Sequence, residues 1–201
     1  MEAFVAIESR KEFQPELYRS YLGILARRCL HNLDHLRRKL DSSDIVQDAM
    51  LRALVALPQF RGSTEREFTA WLREILENKL LDAAKRYRRK KRDAKLEEVL
   101  GETLQDSSMR LERHFERVVA ADQTSPSEHV ARNERVRLLA DGLAALPEDQ
   151  RTALEFHHLN GYSLGETARL MNRTTVSVAG LLRRGLKTMR KDLKDREQDL
   201  H

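Results

Sequence analysis

Apolar residues recur along this chain at intervals of three and four, with charged residues between them, and strand-like alternation is almost absent. That spacing lines apolar side chains along one face of an α-helix, so the chain is predicted to be all-α. The first helical block runs from about Pro15 to Leu57. Within it Leu17, Tyr21, Ile24, Leu25 and Arg28 keep helical spacing, as do Val46, Met50, Leu54 and Leu57. Asp41-Ser-Ser-Asp44 offers short oxygen-bearing side chains that can accept from the unpaired N–H groups opening a second helix. Pro58 interrupts, and Gln59-Phe-Arg-Gly-Ser-Thr64 reads as a loop with a glycine turn. A third helix is predicted from near Glu67 toward Arg92, its apolar face formed by Phe68, Trp71, Leu72, Ile75 and Leu80 or Leu81.

Residues 93–126 have a different texture. Leu96, Val99, Leu100 and Leu104 are scattered among Asp, Glu and Ser, and 109–121 offers one short amphipathic helix. This stretch is read as a partly helical linker. Ser125-Pro-Ser-Glu128 has capping-box spacing with proline at the first helical position. It marks a second helical domain, with Pro147 between its first two helices. The expected organisation is two small helical domains, 12–92 and 127–195, joined by the linker 93–126.

The sharpest local pattern is Tyr162-Ser-Leu-Gly-Glu-Thr-Ala-Arg-Leu-Met-Asn-Arg-Thr-Thr-Val-Ser-Val-Ala-Gly-Leu-Leu-Arg-Arg184. Ser163 can cap a short helix through Met171, and Ala168 lets two helices approach closely. Asn172 falls at the turn, where a left-handed backbone is tolerated. Thr174 or Thr175 caps a second helix with a buried stripe of Val178, Leu182, Leu186, Met189 and Leu193. This is a helix-turn-helix over 163–184, whose second helix enters the DNA major groove by its N-terminal residues. Thr175, Val176, Ala179, Gly180 and Arg183 are the exposed candidates there. Arg183 and Arg184 can reach bases or phosphates, while Lys187, Arg190, Lys191 and Lys194 suit backbone contact.

Charge sharpens the picture. The chain holds 37 Lys+Arg against 32 Asp+Glu, a modest +5, but seven of the eight residues from Lys85 to Arg92 are basic. Phe60, Arg61, Phe68 and Trp71 lie just upstream. A basic track beside aromatic rings suits a partly single-stranded nucleic acid, with cations along the phosphates and rings against bases. Asp41, Asp44, Gln47 and Asp48 instead share one face at the start of the second helix. Acids there complement the helix N-terminus; on a DNA-binding chain they also point to a protein partner with a basic surface.

Other chemistry finds little support. Cys29 is the only cysteine, so neither an internal disulfide nor a zinc-type cysteine pair is available. His31, His35 and Cys29 lack further ligands, and His157-His158 reads as partly buried structure; no metal site is expected. No Walker loop, glycine-rich dinucleotide loop or nucleophile elbow is present. Catalytic residues and cofactors are therefore expected to be absent, and the protein is not expected to be an enzyme. Residues Met1 to Arg10 alternate apolar and charged types, and no run approaches the ~20 apolar residues of a membrane span, so a cytoplasmic protein without membrane insertion is expected. Two other readings stay open on the residues alone: a stand-alone helix-turn-helix regulator binding duplex DNA without polymerase, and a helical adaptor that binds no DNA.

Asp41-Ser-Ser-Asp-Ile-Val-Gln-Asp-Ala-Met-Leu-Arg-Ala-Leu54, Phe60-Arg-Gly62, Phe68-Thr-Ala-Trp-Leu-Arg-Glu-Ile75, Asn78 and Asp82 resemble region 2 of sigma-70-type factors. Leu146-Pro-Glu-Asp-Gln-Arg151, Gly161-Tyr-Ser-Leu164 and the helix-turn-helix resemble region 4. A chain with these two regions and a linker is similar to the extracytoplasmic function sigma factors. The resemblance implies core RNA polymerase as partner, through the clamp helices of the largest subunit and the flap region, together with promoter DNA; an anti-sigma factor is a further candidate. It implies that Asp41, Asp44, Val46, Gln47 and Asp48 dock on the polymerase. Phe60 and Arg61 match the loop that captures a flipped base of the −10 element, and Asn78, Asp82, Lys85 and Arg86, extended by Arg88 and Arg89, match the helix that holds it. Arg173, Thr174, Thr175, Ser177, Gly180, Arg183, Arg184 and Lys187 match the reader of the −35 element. The chain departs from the pattern in a slightly longer loop at Ser63–Glu67. It also departs at Ala179, Gly180 and Leu181, which stand where polar or basic residues are common; this shifts base reading toward Thr175, Ser177, Arg183 and Arg184.

Overall fold

A computed structural model of the protein describes residues 13–31, 40–87, 99–110, 113 and 131–199. Every regular element among them is helical. Contacts divide the chain into two units, Met1–Gln105 and Asp106–His201.

In the first unit a 3-10 turn, Pro15–Tyr18, leads directly into α1, Arg19–His31. The turn explains a departure from the predicted apolar face. A 3-10 segment rotates further per residue than an α-helix, and Leu17 is left exposed while Tyr18 is buried. α2 spans Ser42–Ala56 and starts on Asp41, whose Oδ1 accepts from the Ser43 N–H at 2.8 Å. α3 spans Glu65–Tyr87. Its first turn is a capping box: Thr64 Oγ1 accepts from the Glu67 N–H at 3.2 Å, and Glu67 Oε2 accepts from the Thr64 N–H at 3.0 Å. Tyr21, Leu22, Ile24 and Leu25 of α1 meet Ile45, Val46, Ala49 and Met50 of α2 and Phe68, Leu72, Leu76 and Leu80 of α3 in one buried core. Leu54, expected on that face, lies at its edge and is 42% exposed.

A further helix, α4, covers 99–110. It begins earlier than the amphipathic stretch 109–121, because Leu100 and Leu104, one turn apart, are buried at 1% and 2% exposure whereas Met109 is 44% exposed. Residues 125–128, expected to start the next helix, lie outside the described residues.

The second unit contains α5, Ala131–Ala145, and α6, Glu148–Leu154. Arg151 braces the corner at Pro147 by donating from Nη1 to the Ala144 carbonyl at 3.2 Å. α6 widens into one π-helical turn, Glu155–Leu159, closed by the Asn160 N–H on the Glu155 carbonyl at 2.8 Å. Gly161, at φ +78°, then reverses the chain, and Tyr162 offers its carbonyl to His157 Nδ1 at 2.7 Å. α7, Leu164–Leu170, and α8, Thr175–Asp199, complete the unit. Leu139, Leu143, Leu154, Val178, Leu182 and Met189 fill its core.

Two glycines show how tightly this core constrains the helices. A Cβ on Gly185 of α8 would sit 2.8 Å from Leu154 Cδ1, whereas a Cβ on Gly165 of α7 would meet nothing within 4 Å. Gly185→Val is therefore expected to destabilise the unit by about 2 kcal/mol through overpacking. Gly165→Ala is expected to stabilise it by up to about 1 kcal/mol through helix propensity. Thermal unfolding of the two variants should shift in opposite directions.

Candidate functional site

Three surfaces carry the residues singled out by sequence. The first is the outer face of α2. Asp44, Gln47 and Asp48 are exposed there, and Asp41 caps the helix start. Val46 does not join them: it is 4% exposed and turned into the core, so its expected polymerase contact is corrected to a packing role. The face instead continues into Leu51 and Val55, 55% and 71% exposed, with Leu54 beside them. Asp44, Asp48, Leu51 and Val55 follow one another at intervals of four, three and four, which is one stripe of a helix. Two acids and two aliphatic side chains thus present a single continuous surface to solvent.

The second surface combines the loop before α3 with the exposed side of that helix. Phe60 packs half-buried among rings, with centroids 5.5 Å from Phe13, 5.4 Å from Phe68 and 5.1 Å from Trp71. Gly62 makes this possible, since a Cβ there would lie 2.3 Å from Phe60 Cζ. Ser63 and Thr64 donate backbone N–H groups to Glu67 Oε2 at 2.9 and 3.0 Å, pinning the extended loop. These bonds, led by that of Ser63, hold the Glu67 carboxyl below its usual range. The cap is therefore intact at neutral pH and is lost as pH falls through that depressed value. Arg61 is exposed at the loop tip, and Asn78, Asp82, Lys85 and Arg86 are all exposed along α3. Trp71, read mainly as core from its spacing, is only half-buried and joins Phe60 at the head of that polar track. Arg88 and Arg89 lie outside the described residues.

The third surface is the helix-turn-helix. Ser163 Oγ accepts from the Glu166 N–H at 3.3 Å, and Glu166 Oε2 accepts from the Ser163 N–H at 2.8 Å, the reciprocal cap that starts α7. The Ser163 hydroxyl, and then its N–H, keep the Glu166 carboxyl below its usual range, so this cap too is lost only on acidification. Asn172 takes the left-handed turn at φ 52°. Thr174 Oγ1 accepts from the Ser177 N–H at 3.2 Å and starts α8. This bond engages the Thr174 hydroxyl oxygen and the Ser177 main chain, not the Ser177 hydroxyl. Thr175, Val176, Ala179, Arg183, Arg184 and Lys187 are exposed, and Gly180 is partly so. Leu181 is 7% exposed, so its departure from the polar family pattern is a core choice with no bearing on the DNA-facing side. Arg173 is held by Asp149 through Nη2–Oδ2 at 2.5 Å, a partner that its sequence neighbours do not reveal.

These surfaces follow a known order. Residues 17–92 match the model of Sigma-70 region 2, and residues 137–189 match that of Sigma-70, region 4. The chain belongs to the sigma-70 family. It is similar to the ECF RNA polymerase sigma factor SigW of Bacillus subtilis, 29% identical over 90% of this chain and 87% of that protein. It is also similar to the ECF RNA polymerase sigma factor SigL of Mycobacterium tuberculosis, 26% identical over 77% and 75%. A third likeness is to the ECF RNA polymerase sigma-E factor of Haemophilus influenzae, 29% identical over 66% and 64%. This sigma factor is of the extracytoplasmic function type; it binds core RNA polymerase and directs transcription initiation.

The described residues contain no cluster of three or more potential metal ligands, and no helix long and apolar enough to cross a membrane. Cys29 is buried, and that burial pushes its thiol up to about 12, so it stays protonated and unreactive at neutral pH. His35, declined with Cys29 and His31 as a metal ligand, lies outside the described residues.

Proposed function

We propose that the three surfaces divide the work of initiation in the cytoplasm. The acidic and aliphatic stripe of α2 docks on the clamp helices of the largest polymerase subunit, with the flap region as the second unit's contact. Phe60, Arg61 and Trp71 receive an unpaired base of the −10 element, and Asn78, Asp82, Lys85 and Arg86 track the strand that carries it. The start of α8 reads the −35 element as duplex. Initiation then draws on phosphate neutralisation and base capture, with no bond made or broken by this chain.

The observation that carries this reading is the α2 stripe. A chain of net charge +5 keeps Asp44 and Asp48 exposed beside Leu51 and Val55. Acids repel DNA, and exposed aliphatic side chains in line with them fit the rim and centre of a protein interface. A stand-alone duplex-binding regulator gives that stripe no use. The test is binding of the full-length protein to bacterial core polymerase. Stoichiometric binding, weakened at least ten-fold in Asp44→Ala/Asp48→Ala, is expected; undiminished binding by the double variant overturns the assignment.

The pairing of Arg173 with Asp149 leads to a further expected result. The pair is partly exposed, 40% and 54%, so its loss should change stability little. Asp149→Ala frees one cation beside α8 for a backbone phosphate. Affinity for an upstream-element duplex should rise several-fold at low salt, and the log–log salt slope should steepen by about one. An unchanged slope would mean that Arg173 already leaves Asp149 for a phosphate in the wild type, or that it meets no phosphate in either protein.

A further inference from the structure

Val176 is the most exposed large apolar side chain in the described protein, at 81%. Single exposed apolar residues are ordinary; the surroundings of this one are not. It is the second residue of α8, at the end of the helix that a helix-turn-helix turns toward base edges. One turn further on, its neighbours are Ala179 and Gly180, and a Cβ on Gly180 would meet only the guanidinium of Arg184, at 3.3 Å. Ala179 and Gly180 add almost no side chain of their own to that stretch, so once the exposed Arg184 over Gly180 turns toward DNA, the backbone can come close to the groove floor with Val176 standing out from it.

An isopropyl group pressed into the major groove is selective. Guanine, adenine and cytosine present hydrogen-bonding groups there, and covering these with an apolar group leaves them unpaired. Thymine alone presents a methyl group. We propose that Val176 reads the C5-methyl of a thymine in the upstream promoter element and fixes that base at one position. This rests on the reading that the start of α8 enters the major groove.

The experiment uses the full-length protein assembled with bacterial core polymerase, on promoters selected from a random library. Each thymine of the upstream element, on either strand, is replaced in turn by deoxyuridine, which removes only the methyl group. At one position the replacement is expected to weaken binding of the wild-type holoenzyme about four-fold, the worth of one buried methyl. Val176→Ala should lose a similar factor on the thymine duplex and be indifferent to deoxyuridine at that position; its stability should be unaffected, since the side chain touches solvent. Two results overturn the proposal: deoxyuridine penalties identical in the wild type and Val176→Ala, or a selected upstream element with no fixed thymine. Arg183→Ala/Arg184→Ala separates the two levels of the argument. If this pair leaves upstream binding unchanged, the α8 reading itself fails; if it weakens binding while the deoxyuridine penalties do not depend on residue 176, only the Val176 assignment fails.

Discussion

Replacing Leu51 and Val55 together by serine is expected to weaken binding to core polymerase about 100-fold while leaving the melting temperature nearly unchanged. The two side chains are 55% and 71% exposed, so the folded monomer has little burial to lose. Surface substitutions of this kind usually change stability by less than about 0.5 kcal/mol. In a docked interface the same side chains leave water. Burying an aliphatic side chain is worth roughly 1.5–3 kcal/mol, so the pair supplies about 3 kcal/mol at the lower bound, or about two decades in Kd. The Asp44→Ala/Asp48→Ala variant differs in character. Its loss should shrink as salt rises, because screening already weakens charge attraction across the interface, whereas the serine variant should lose the same factor at every salt concentration. Titration against core polymerase at two ionic strengths, beside thermal unfolding, separates the two contributions. Tight binding by Leu51→Ser/Val55→Ser would remove α2 as the docking face.

The features legible in the sequence are those fixed by neighbours in the chain. The Ser163 cap, the left-handed Asn172 and the start of α8 at Thr174, one of two threonines that spacing offered, each depend on residues within about four positions; Glu166, the other half of the Ser163 cap, was not singled out. Of the predicted stripe, Val178, Leu182, Met189 and Leu193 are buried, as one helical period requires, while Leu186 is only half-buried. The misreadings come from the limits of that same periodicity and of the resemblance. On α2 the apolar residues extend around more of the helix than one core contact can cover. Spacing set Val46 on one apolar stripe with Met50, and both are buried; it was the resemblance that set Val46 on the docking face, and neither spacing nor resemblance singled out Leu51 and Val55, which face solvent. The excess of apolar positions was the available signal, since a helix with one buried face needs only a stripe. Leu181 was counted with Ala179 and Gly180 as a departure from the polar family pattern, although it packs inward. The Asp149–Arg173 pair joins residues 24 apart, and only the fold brings them together. Phe60 and Trp71 were singled out as an aromatic neighbourhood; their shared packing, and Phe13 as its third wall, required coordinates.

Phe68→Ala is expected to cause the largest loss of stability in the first unit, and that loss should extend to both functions of the unit. The ring is fully buried, with centroids 4.9 Å from Phe13, 5.3 Å from Tyr18, 5.4 Å from Phe60 and 5.5 Å from Trp71. Truncating a buried Phe to Ala removes its transfer free energy and leaves a cavity, together about 3–5 kcal/mol. A domain this small commonly holds only about 5–15 kcal/mol in total. The variant should therefore unfold its first unit at a temperature lower by ten degrees or more. Phe60 and Trp71 would lose the wall that orients them, so open-complex formation should fail. Polymerase binding should fall as well, because α2 and α3 share the same core. Phe60→Ala separates structure from recognition: its ring is only half-buried, so it should cost less stability and keep polymerase binding, yet still lose promoter opening. The second unit has its own core, so the upstream-duplex affinity of Phe68→Ala should stay at the wild-type level while its polymerase binding falls. Equal melting of Phe68→Ala and the wild type would show that the aromatic cluster does not hold the first unit together. A parallel fall in upstream-duplex affinity would show that the two units do not fold independently.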